Sequence, residues 1–113
     1  MISISLFIEC KNKNESLEIF EELKMKIEPF ITTYELMEND PYPKIDGWFV
    51  IRYNLETLNV IDNEKAESIL EMMSNKWHWK KGWANAIATE RIDGSVFFNE
   101  KVKFIVCWFE DFE

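Results

Sequence analysis

The side chains that could do chemistry are few and scattered. His78 is the only histidine, and it stands between Trp77 and Trp79 beside Lys80 and Lys81. A catalytic histidine needs a positioned nucleophile or carboxylate partner. None lies near it in sequence, so the ordinary reading is a surface or interface residue. Cys10 and Cys107 sit near opposite ends of the chain, with no CxxC and no Cys/His cluster. Each falls within or just after an apolar run and reads as a reduced, core or near-core thiol. A disulfide between them would require their strands to be neighbours. Carboxylates are plentiful, but no pair is set apart as an acid–base dyad. HExxH, the EF-hand pattern and a carboxylate–His pair at i,i+3 are missing from the sequence. With three isolated glycines the chain has no P-loop, GxGxxG or GxSxG motif. The expectation is a protein that is not an enzyme and uses no metal or cofactor.

Two other clusters suit binding. Trp77, Trp79 and Trp83 crowd a short basic stretch. Trp77 continues a helix stripe, whereas Trp79 and Trp83 are candidate interface anchors, a role in which Trp is enriched. The plainer reading is that all three cover the end of a sheet. The second cluster is Glu35, Glu38, Asp40 and Asp46, offset by Lys44, around Pro41-Tyr42-Pro43. A loop stiffened by two prolines has less freedom to lose on binding. Tyr42 would be a large rigid contact with a polar tip, ringed by carboxylates that meet Lys and Arg on a partner. The plainer reading is a solvated hairpin connection. Glu110 and Asp111 make a third acidic candidate at the end of the chain.

Net charge narrows the partner. Twenty-one acidic residues against 13 basic ones give −8. That balance repels phosphate backbones and anionic membranes. It suits solubility and a basic protein partner. No run approaches the ~20 apolar residues of a membrane span. The opening Met1–Ile8 alternates like a strand, with no basic n-region and no small-residue cleavage site, so the expected location is the cytoplasm.

The elements that must position these groups are legible in outline. The 113 residues suit one domain, 1–113. Ile2, Ile4, Leu6 and Ile8 alternate with Ser3, Ser5 and Phe7, which predicts a strand with one strongly apolar face. Asn12, followed by Glu15, resembles a capping box, and Asn14 is a second cap candidate. Leu17, Phe20, Leu23 and Ile27 then recur at helical spacing until Pro29 stops them. Phe30 to Glu38 reads as the second strand, Asn39 to Lys44 as a loop kept out of the sheet, and Trp48 to Tyr53 as a third strand in a hairpin with the second. After a connector, Asp62 can cap a second helix. Ala66, Ile69, Leu70, Met73 and Trp77 mark its buried stripe, and Gly82 its end. Ala84 to Ile92 reads as a fourth strand, with Asp93-Gly94 as a hairpin signal. Ser95 to Phe98 and Lys101 to Phe109 follow as one long strand or two. The last run is the most apolar, so Trp108 is expected in the core.

The order β-α-β-β-α-β-β predicts an α+β fold of ferredoxin-like, split β-α-β type. It would have an antiparallel sheet, two helices on one face and an extra C-terminal strand. Phe7, Phe49, Tyr53 and Phe109 at alternate strand positions suggest that the second face is partly covered.

In size, acidity and aromatic content the whole chain resembles the immunity proteins of bacterial polymorphic toxins and small phage-encoded nuclease inhibitors. The resemblance implies a protein-interaction module that binds and inhibits a basic partner, such as a toxin or nuclease. Acidic residues would occupy the cleft meant for an anionic substrate, and steering between opposite charges would speed association. The alternative is a small-molecule-binding or dimeric regulatory ferredoxin-like domain. Monomer and homodimer are equally open on the sequence.

Overall fold

A computed structural model describes residues 1–80 and 84–110. It is an α+β fold. Strands β1 (Ile2–Glu9), β2 (Ile31–Pro41), β3 (Trp48–Thr57), β4 (Asn85–Thr89) and β5 (Val102–Phe109) form one antiparallel sheet in the order β2-β3-β1-β5-β4. Helix α1 (Lys13–Ile27) runs into a single 3-10 turn at Glu28–Phe30; α2 spans Asn63–Met73 and the one-turn α3 spans Glu90–Asp93.

β1 lies at the centre, paired with β3 along one edge and β5 along the other, and its two faces meet different surroundings. Ile2, Ile4, Leu6 and Ile8 are wholly buried and share one core with Phe20 and Leu23 of α1 and Ile69 and Met73 of α2. Both long helices therefore pack on the same sheet face. Asn12 starts α1 by accepting the Glu15 backbone N–H at 2.9 Å, and Asp62 starts α2 by accepting that of Lys65 at 2.9 Å. Each cap satisfies a donor the first helical turn leaves free. Tyr53 stacks on Phe20 with ring centroids 3.6 Å apart. The Ser16 hydroxyl of α1 donates to the Asn39 side-chain Oδ1 at 2.7 Å, tying the helix to β2.

A ferredoxin-like order would set the strand that follows the second helix beside β1. Here β4 lies at the sheet edge, and β5 takes the place next to β1. Apolar content explains the exchange. β5 reads VKFIVCWF and gains most from pairing on both sides, whereas the five-residue β4, NAIAT, suits an edge.

Several boundaries differ from the sequence reading. β2 continues through Asn39, Asp40 and Pro41, which pair with Ile51, Val50 and Phe49. Proline is tolerated there because β2 is an edge strand. α2 stops at Met73, well before Gly82. The Ser74 backbone N–H and the Trp77 indole N–H both donate to the Leu70 carbonyl, closing the helix end. The segment beyond α2 instead pairs His78 with Ile87 and Ser74 with Phe97 as isolated bridges. Asp93-Gly94 is no hairpin. Thr89 caps α3 by accepting the Ile92 N–H, and Gly94, at φ 66°, ends it in the left-handed conformation that glycine tolerates best.

The aromatic positions also sort differently. Tyr53 and Phe109 are buried on the helix side, and strand alternation puts Phe49 there as well. Phe7, Phe104 and Trp108 lie on the opposite face, away from the core that α1 and α2 share with the sheet. Trp108 is 48% exposed and is not a core residue. The strand is central, but the register turns its 108 position outward. No disulfide forms: both cysteines are free, and Cys107 pairs across from Ile4, six positions from Cys10.

Phe109→Ala should therefore cost the roughly 3–5 kcal/mol of a buried aromatic deletion, and Trp108→Ala less than about 1 kcal/mol. Urea unfolding of the two variants checks the register. A second contact reports on pH. Lys101 donates to the Glu15 carboxylate, which ties the first turn of α1 to the start of β5. That bond holds the Glu15 pKa below the usual carboxylate value. The stability it gives is present above the unfolded-state pKa and is lost as pH falls through the lowered one. Glu15→Gln should melt earlier than the parent near neutrality, and the two melting curves should converge in acid.

Candidate functional site

The open sheet face is the part of the molecule whose composition asks for an occupant. Across its middle, register aligns Asn54, Ser3, Trp108 and Asn85, then Arg52, Ser5, Val106 and Ile87, then Val50, Phe7, Phe104 and Thr89. The face is polar at one end and aromatic at the other.

The aromatic end is a groove of about 480 Å³. Phe7 is its hub. The Tyr42 ring meets Phe7 edge-on at 4.9 Å, and the Phe104 ring does so at 5.1 Å. Trp48 lies 6.3 Å from Tyr42 and 23° from parallel. Such edge-on pairs are a favourable arrangement of aromatic rings. The hairpin that carries Tyr42 is closed by the Tyr42 N–H donating to the Trp48 carbonyl at 2.8 Å, and Gly47 turns it at φ 81°. Arg91 of α3 and Lys103 of β5 reach the same groove. Lys103 is held 3.1 Å from Glu90 and donates to the Glu100 carbonyl at 3.0 Å.

The polar end is a shallow basin lined by Ser3, Ser5, Arg52, Asn54, Trp108 and Glu110. Glu38 pairs in register with Arg52, and Glu35 with Asn54, so β2 contributes carboxylates along this edge of the face.

The sequence candidates are thus partly gathered. Tyr42, Glu38 and Glu110 all border the open face. Tyr42 is a half-buried wall of the groove, not a projecting loop tip. Asp40 is exposed, pairs in register with Val50, and sits 3.4 Å from Lys13 of α1. Asp46 is exposed in the hairpin turn. Trp79 is half-buried, packed on the core 6.4 Å from Phe109, and belongs to a different part of the molecule. Trp83 and Asp111 lie outside the described residues. His78 is held by backbone bonds with Ile87, its N–H donating at 2.7 Å and its carbonyl accepting at 3.2 Å. Trp48, Phe104, Arg91 and Lys103 were not legible as one site. They come together only because β5 pairs with β1, and the one local signal was Phe7 standing alone among serines.

Among the described residues no group of three or more His, Cys, Asp and Glu is placed to hold a metal ion, and no helix is long and apolar enough to cross a membrane. Cys107 is fully buried, and burial pushes its thiol well above the ordinary range. Burial and the nearby Glu15 carboxylate also raise the Cys10 thiol. Neither is an activated nucleophile. Comparison with family models, with curated proteins and with solved structures finds no match to this chain.

Iodoacetamide at neutral pH should alkylate the native protein slowly at Cys10 and leave Cys107 intact until the chain is unfolded. Mass spectrometry of the digested protein separates the two sites.

Proposed function

We propose that the chain is a cytoplasmic protein-interaction module, not an enzyme, that binds and inhibits a basic partner through the open face of its sheet. The reading that fits its size and charge best is an immunity protein neutralising a nuclease-like toxin. The observation that carries this is the face itself. One side of the sheet has two helices packed on it, while the other leaves Trp108 half exposed beside Arg52 and sets Tyr42 and Trp48 at its end. Trp, Tyr and Arg are the residue types that dominate binding energy at protein interfaces. Carboxylates border the same face. Glu35, Glu38, Asp40 and Asp46 lie along the β2–β3 side, against Lys44 and Arg52, and Glu110 lies at the polar end. Exposed aromatic side chains with carboxylates along the β2–β3 edge match a basic protein surface, and they would hold the position an anionic substrate needs.

The fold supports this reading at a finer level. The β1–α1–β2–β3 half has β3 inserted between β1 and β2, as in a split β-α-β unit. β5 completes the four-strand arrangement beside β1, and β4 is an added edge strand. We read the whole as a ferredoxin-like sheet whose bare face is covered by the partner.

Co-expression with the product of the adjacent reading frame tests the proposal. A stable complex that restores growth supports it, and no complex with that product sinks the immunity assignment. In such a complex, Glu38→Lys, Asp40→Lys and Asp46→Lys together should slow association about tenfold or more and flatten its salt dependence. The fold should survive, because the Asp40–Lys13 pair is exposed and contributes little. Unchanged association would move the contact off the β2–β3 side.

A further inference from the structure

We propose that the groove around Phe7 is a binding site for a small aromatic anion: a flat ring system bearing one carboxylate. The site goes beyond partner binding and does not depend on it. Three observations converge. First, the walls are rings. Phe7, Tyr42, Trp48 and Phe104 come from three strands and the hairpin, and the near-parallel Tyr42 and Trp48 suit a flat guest. Second, the volume of about 480 Å³ falls in the range of small-molecule pockets, roughly 300–1,000 Å³. Third, the charge lining the groove opposes that of the whole chain. The sequence carries 21 acidic residues and 13 basic ones, yet the groove takes Arg91 and Lys103 and no carboxylate among the described residues.

The two cations have different roles. Lys103 is partly neutralised by Glu90 at 3.1 Å and steadied by the Glu100 carbonyl. Arg91 is exposed and makes no ion pair among the described residues, so its guanidinium is the group left to take a carboxylate. That pairing can be bidentate and charge-assisted, the stronger class of hydrogen bond. A neutral guest would gain only the ring contacts. A cationic guest would meet two like charges at the rim.

The test uses three probes with the same ring: 2-naphthoate, 2-naphthalenemethanol and 2-naphthylmethylammonium. Each is titrated into the full chain, isotope-labelled for NMR, following the amides of Phe7, Trp48 and Phe104 and the Trp48 indole N–H. The expected result is saturable shifts at these groups, with 2-naphthoate binding at least tenfold tighter than the alcohol and the ammonium compound weakest. Arg91→Gln, at an exposed position, should keep the native spectrum and bring the acid's affinity down to that of the alcohol. Trp48→Ala should weaken acid and alcohol alike. The proposal is overturned if acid and alcohol bind equally to the parent. It is also overturned if Arg91→Gln keeps the preference, if the shifts centre on Trp108, or if no probe gives saturable shifts.

Discussion

Everything in this molecule depends on the alternation in β1. Ile2, Ile4, Leu6 and Ile8 are all wholly buried under α1 and α2, so burying them determines which way the strand faces. A one-residue slip would turn the whole apolar row to the opposite face. Once that row is down, Ser3, Ser5 and Phe7 must point to the opposite side. β3 and β5 pair on either side of β1 and inherit the same division. The core and the open face are therefore two consequences of one register.

That constraint explains why the residues lining the groove come from distant parts of the chain. Phe7 is at the start, Tyr42 and Trp48 are in the hairpin, and Arg91, Lys103 and Phe104 are near the end. None forms a motif with its neighbours in sequence. They meet because β1 is flanked on both sides, and because Gly47 and Gly94 let the hairpin and α3 turn where they do. The same geometry leaves two kinds of charge on one face, carboxylates along β2 and cations at the groove. A partner lying over the whole face would have to answer both.

Much of the architecture was legible in the residues. Period-two alternation marked β1, helical stripes marked α1 and α2, and Asn12 and Asp62 marked their caps. What was not legible turned on long-range pairing. Trp108 sits in the most apolar run, and only its register opposite Ser3 shows that it faces outward. Pro41 looked like a loop residue because local rules cannot tell an edge strand from a turn. Trp77 follows the α2 stripe in spacing but lies beyond the helix, where it packs against the core and its indole N–H closes the helix end. The order of β4 and β5 depends on which of them gains more from two neighbours, and that is decided by the whole sheet. The site was legible only as single residues: Tyr42, Glu38 and Glu110 border the open face, while Trp79 belongs to the core on the other side.

In the proposed function the open face, and not the helical one, meets the partner. Hydroxyl-radical footprinting of the free chain and of the chain in complex with its partner tests it directly. Trp108, Trp48 and Tyr42 report on the open face, and Met25, 74% exposed on α1, reports on the other side. Complex formation should suppress oxidation of Trp108, Trp48 and Tyr42 and leave Met25 as reactive as before. Protection of Met25 with unchanged oxidation of Trp108 would contradict it.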